Sequence, residues 1–170
     1  MSDDIILVLG GARSGKSRFA EDLVINQRAN RIYLATAESY DSEMDDRIRQ
    51  HQQDRGASWM TIEEPLKLAD ALKAHSRNDN IVLVDCLTLW LSNLMGRDSP
   101  IDAEFDNLIA AIEELSGPVV FVSNEVGQGI VPDNALARAF RDHAGRLHQR
   151  LAEISKEVYF ITAGLPQKLK

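Results

Sequence analysis

This 170-residue chain has one cysteine, Cys86, so it can form neither an intrachain disulfide nor a cysteine-built zinc centre. A reducing compartment, the cytoplasm, fits that usage best. No apolar run reaches the length that crosses a bilayer. The start, Met1-Ser2-Asp3-Asp4, puts no basic segment before its apolar run and does not read as a secretory signal. Positive charge is short as well: 19 Lys and Arg against 26 Asp and Glu give a net charge of −7. That balance argues against a broad nucleic-acid footprint or an anionic-membrane surface. An Asn/Thr-Lys-x-Asp segment, the base reader of signalling GTPases, is missing, and so is an Arg-rich insert that could act as a kinase lid. There is no internal repeat, low-complexity run or domain boundary. Residues 1–170 therefore read as one domain, of a size that buries about two-thirds of its unfolded surface.

What is present begins at the apolar run Ile5 to Leu9, followed by Gly10-Gly11-Ala12-Arg13-Ser14-Gly15-Lys16-Ser17. This is the pattern of a phosphate-binding loop in its required setting, a buried strand before and a helix after. Glycines let the backbone turn tightly and bring N–H groups close to an anion. The helix that starts near Gly15 adds the positive end of its dipole. Lys16 supplies a mobile charge for the β- and γ-phosphates, and the Ser17 hydroxyl is a ligand for Mg²⁺. The plain alternative is a glycine-rich turn that binds nothing.

Downstream, apolar strand patterns at 31–37, 58–62, 80–85, 118–123 and 158–162 alternate with helical patterns at 17–27, 41–55, 65–74, 87–94, 102–115 and 133–156. Such alternation predicts an α/β fold with a mainly parallel sheet between helical layers. The last residues, from Gly164-Leu165-Pro166, read as a break into a basic tail. Asp85 closes the run Asn80 to Val84, which is apolar after its first residue. After a phosphate loop, an acid in that place is a Mg²⁺ holder, although Asp also ends many strands without such a role. Cys86 and Trp90 read as packing residues. Arg47, Arg49 and Arg55 around His51 form either a second phosphate-handling region or a solvated helix face. His51 itself is, by spacing, either a surface histidine paired with Asp54 or a nucleophile, since free imidazole can attack phosphorus near neutral pH. His75, His143 and His148 have no stronger claim.

Six blocks, GGARSGKS (10–17), YLATAE (33–38), DSEMDDRIRQHQQDR (41–55), VDCLTLWLSNL (84–94), SNEVGQGIVPDNALARAFRDHAGRLHQRLA (123–152) and the GLPQKLK end, span most of the chain. Together they closely resemble the bifunctional adenosylcobinamide kinase/adenosylcobinamide-phosphate guanylyltransferase family of cobalamin biosynthesis. The resemblance implies a P-loop NTPase of RecA-like three-layer α/β/α architecture, assembled as a homotrimer. It implies two reactions: phosphorylation of adenosylcobinamide by ATP or GTP, then GMP transfer from GTP through a histidine to give adenosylcobinamide-GDP. The family's guanylylated histidine lies in an Glu-Met-x-x-Arg-Ile-x-x-His segment, which places it at His51. Some relatives carry a second histidine just before it, where this chain has Gln50. Nucleotide contacts implied in the same way fall on Gly10 to Ser17, on Ala35, Thr36 and Ala37, on Gln52, Gln53, Asp54 and Arg55, on Glu63 and on Asp85. Competing readings are another P-loop small-molecule kinase, or a RecA-like ATPase module that acts with a macromolecular partner.

Overall fold

A computed structural model of the chain describes residues 4–27, 30–38 and 58–170. Twelve elements follow one another among these: β1 (Ile5–Gly10), α1 (Lys16–Gln27), β2 (Asn30–Ala35), β3 (Trp59–Glu63), α2 (Leu68–His75), β4 (Asn80–Asp85), α3 (Leu87–Met95), α4 (Ile101–Glu113), β5 (Val119–Asn124), α5 (Ala135–Ile154), β6 (Glu157–Thr162) and β7 (Leu165–Lys168). The helix expected at 41–55 lies outside the described residues.

The strands form one sheet in the order β3-β2-β4-β5-β1-β6-β7. Every neighbouring pair is parallel except β6–β7. Strand side chains alternate between faces, and the core divides accordingly. Ile5, Leu7 and Leu9 join Leu34, Val84 and Phe121 under residues of α2 to α5. Ile6 and Val8 join Tyr33, Leu83 and Val122 under Ala20 and Val24 of α1. β1 is buried along its whole length, as a strand covered on both faces must be. The three-layer architecture expected from the sequence is thus present. Trp90 is packed as expected, 1% exposed and in contact with Phe105, with its indole N–H donated to the Leu66 carbonyl at 2.8 Å.

Two local expectations need correction. The helix expected from Pro65 starts at Leu68. Before it the Glu64 carboxylate accepts from the N–H groups of Leu66 (3.0 Å) and Lys67 (2.8 Å), which holds 64–67 as a turn. The end of the chain is not a loose tail either: Leu165–Lys168 pairs antiparallel with β6, Thr162 opposite Leu165.

Six parallel strands all finish at one edge. Register aligns Glu63 with Ala35 and Ala35 with Asp85, and Gly10 with Asn124 and Ile161. β5 stands between β1 and β4, so Gly10 and Asp85 end strands two places apart, Gly10 level with Asn124 and Asp85 with Val122, two residues earlier on β5. In parallel sheets the crevice beyond the carboxyl ends is where ligands bind.

Candidate functional site

The phosphate loop closes on itself. Ser14 N–H donates to the Gly11 carbonyl at 3.3 Å, and the Lys16 ammonium reaches back to the same carbonyl at 3.2 Å. Lys16 opens α1 and is buried, with 9% exposure; Ser17 follows on the same turn. Arg13 and Gly15 both take the left-handed conformation, φ 53° and 92°. Gly15 suits the second of these because it lacks the Cβ that penalises positive φ. The Glu125 N–H caps the Gly10 carbonyl at 2.9 Å, and the Gly164 N–H caps that of Ser14 at 2.7 Å. Ser14 Oγ is buried and has no hydrogen-bond partner. A cleft of about 430 Å³ opens beside the loop, lined by Gly11 to Ser14, Glu125, Gln128 and residues 160–163.

Across β5, Asp85 ends β4 half-buried, and Tyr33 donates its hydroxyl to Asp85 Oδ2 at 3.1 Å. Sequence reasoning missed Tyr33. Its place two residues before Ala35, which pairs with Asp85, is the signal, and it is readable only once the register is known. Thr36 joins the same side. Its hydroxyl donates to the Cys86 carbonyl at 2.7 Å and accepts from the Cys86 N–H at 2.9 Å, while its own N–H donates to the Asp85 carbonyl at 3.2 Å. Asn93 of α3 donates to the carbonyls of Thr36 (2.7 Å) and Pro65 (3.0 Å). Arg97 pairs with Glu38 just after Ala37. Glu63 ends β3 exposed. Thr36 therefore holds the strand ends together, with its hydroxyl fully committed.

Cys86 is buried, and desolvation, helped by the neighbouring Asp85 charge, pushes its thiol up to about 11. It stays protonated and is no nucleophile. His148 is also buried, its Nε2 2.7 Å from Ser123 Oγ, and burial pulls it down to about 4. A neutral ring engaged in that way is not available to a substrate. His75 ends α2, which leads into the start of β4 at the opposite edge of the sheet. His143 lies against Arg146. His51 and Gln52 to Arg55 lie outside the described residues. Among the described residues no three of His, Cys, Asp and Glu converge as metal ligands. The sheet edge thus offers a hydroxyl, a carboxylate and a lysine around a loop of N–H groups.

That arrangement occurs in many nucleotide-binding proteins, and comparison of the sequence narrows it. Residues 6–169 match the family profile described as cobinamide kinase / cobinamide phosphate guanyltransferase. The chain belongs to this family. It is 48% identical to the bifunctional adenosylcobalamin biosynthesis protein CobP of Pseudomonas aeruginosa over 166 residues, 96% of each chain. With the protein CobU of Salmonella typhimurium it shares 42% over 181 aligned positions, covering 98% of this chain and 99% of the relative. Among solved structures the likeness is of fold alone. An ATPase of a type III secretion system matches with TM-score 0.58 at 12% identity, over 98% of this chain and 57% of its own. The RadB recombinase matches with TM-score 0.55 at 15% identity, over 94% and 74%. These neighbours establish a P-loop, RecA-like α/β fold for this member of the family; they do not transfer a recombinase or motor activity to it.

Proposed function

We propose that the chain carries out both transfers named in its family's description, at one phosphate loop. The observation that carries the reading is the pairing, at a single sheet edge, of Lys16 and the capped loop with Asp85 two strands away. In the first transfer a hydroxyl oxygen of adenosylcobinamide attacks the γ-phosphorus of ATP or GTP; the nucleoside diphosphate leaves and the hydroxyl proton is lost. In the second, an imidazole nitrogen of His51 attacks the α-phosphorus of GTP, forming an N–P bond as pyrophosphate leaves. A phosphate oxygen of the phosphorylated cobinamide then attacks that phosphorus and displaces His51, giving adenosylcobinamide-GDP. Splitting the guanylyl transfer lets the activated GMP wait on the protein for its acceptor.

Lys16 and the loop N–H groups hold the negative charge that builds on the departing phosphates. The remaining nucleotide contacts are proposed at Ala35 to Ala37, Gln52 to Arg55 and Glu63. Ser17 and Asp85 supply hard oxygen donors that fit Mg²⁺, with phosphate oxygens to complete its shell. When bound, the ion neutralises phosphate charge. Tyr33 holds one oxygen of Asp85 by its hydroxyl. A homotrimer in the cytoplasm, without nucleic-acid or membrane partners, completes the reading. Exposed Ile130, Val131 and Leu136 give such an assembly apolar surface to cover. No helix among the described residues is long and apolar enough to cross a membrane.

Incubation with GTP labelled at the α-phosphorus tests the central step. Label on the protein that is acid-labile and base-stable, and that moves to adenosylcobinamide phosphate when it is added, is the expected result. A chain that phosphorylates adenosylcobinamide but never takes up the label would be a kinase only.

A further inference from the structure

The last eight residues do more than finish the sheet. β6 and β7 are joined by two residues, Ala163 and Gly164, with Thr162 paired to Leu165. Both linking residues have positive φ, 51° and 78°, the signature of the tight hairpin turn whose twist suits its strands. This turn meets the phosphate loop. The Gly164 N–H donates to the Ser14 carbonyl at 2.7 Å, and a Cβ at Gly15 would lie 3.1 Å from Gly164 Cα. The hairpin is itself anchored. Lys168 and Tyr159 both donate to Glu157 at 2.7 Å, and the Tyr159 ring meets Phe19 of α1 edge-on, centroids 5.0 Å apart. Turn, loop and the helix that begins with Lys16 are therefore braced against one another.

In a planar trans peptide the carbonyl of one residue and the N–H of the next point in opposite directions. With the Ser14 carbonyl held against the hairpin, the Gly15 N–H must face the other way, toward the hollow of the loop. We infer that the β6–β7 turn is a positioning element of the phosphate loop: through its backbone N–H, Gly164 fixes the Ser14–Gly15 peptide so that the Gly15 N–H is presented to a bound polyphosphate. Without that brace the peptide plane is free to rotate, and ordering it would be charged against binding. The inference rests on the proposed use of the loop for phosphate.

The test removes one N–H. Gly164 is replaced by glycolic acid through nonsense suppression, which exchanges the N–H for an ester oxygen and leaves the turn glycine-like. A control ester at Leu169 removes a bond of the same hairpin, Leu169 N–H to the Val158 carbonyl at 2.8 Å, far from the loop. Tripolyphosphate affinity is measured by calorimetry alongside the melting curve of each. The Gly164 ester should bind about three- to tenfold more weakly, and the Leu169 ester should stay within about twofold of the unaltered chain. Unchanged affinity at Gly164, or an equal loss in both esters, overturns the inference. In the unaltered chain, coupling must be reciprocal, so saturating tripolyphosphate should slow hydrogen exchange at the Gly164 amide. No slowing would overturn it even if the ester failed to fold. Lys16→Ala separates the underlying reading: if that variant binds tripolyphosphate normally, the loop is not the phosphate site and the inference falls with it.

Discussion

The two sides of the site are held in different ways. On the phosphate side, backbone holds backbone: Glu125 N–H on the Gly10 carbonyl and Gly164 N–H on that of Ser14. On the acidic side, side chains hold the strand ends: Tyr33 on Asp85, Thr36 on Cys86, Asn93 on Thr36 and Pro65. A loop held by main chain tolerates most side-chain changes outside its glycines and its lysine. A carboxylate held by side chains can be released by a single substitution. The phosphate side should fail by losing chemistry, and the acidic side by losing order.

Lys16→Ala gives the largest effect. It removes a charge from the phosphate side without touching the loop's main-chain caps, and should slow both transfers about 10²- to 10³-fold with the melting curve little changed. Normal guanylylation by this variant would break the single-loop account. Thr36→Val acts on the opposite side and in the opposite manner. It keeps the volume but leaves the buried Cys86 N–H unpartnered, while the Cys86 carbonyl keeps the Trp90 N–H, at a cost of about 1–3 kcal/mol, or roughly 2–12 °C in Tm. Scanning calorimetry checks this, and an unchanged Tm would mean that the Thr36 hydroxyl does not hold Cys86 in place.

How much of this was legible beforehand follows the same division. The loop reads directly from sequence because its geometry is local: glycines, lysine and serine lie within eight consecutive residues, between a buried strand and a helix. The central strands were readable for a similar reason, as short apolar runs covered on both faces. The acidic side was legible only at Asp85. Its supports reach across 52, 50 and 57 residues, and no spacing rule connects Tyr33, Thr36 and Asn93 before the strand order is known. β7 was read as a tail because its four residues are exposed and include Pro166, so it lacks the apolar alternation that marks a strand. The Ser123–His148 pair left no trace in the sequence, since a histidine on a charged helix does not announce burial.

That pair gives a pH-dependent effect, confined to acid conditions. His148 titrates near 6.5 when unfolded and near 4 in the fold, so between those values the unfolded chain binds the extra proton. Stability is then full above about pH 6.5 and falls as pH drops toward 4, by about 2–4 kcal/mol in all. His148→Asn, which keeps a polar partner for Ser123, should flatten that part of the Tm–pH curve. An unaltered slope would assign the acid sensitivity to other groups. The smallest change sharpens the acidic side alone. Tyr33→Phe frees Asp85 without removing it and should raise the Mg²⁺ needed for half-maximal rate by up to about tenfold, with Tm nearly unchanged. An identical Mg²⁺ titration would show that Asp85 needs no such support.

In the proposed scheme the two transfers share a loop but not a nucleophile, and His51→Asn separates them most directly. The account predicts a folded variant that takes up no label from GTP labelled at the α-phosphorus and makes no adenosylcobinamide-GDP, yet still phosphorylates adenosylcobinamide at a measurable rate. Retained label on the variant would contradict it, as would equal loss of both activities in a protein whose melting curve is unchanged.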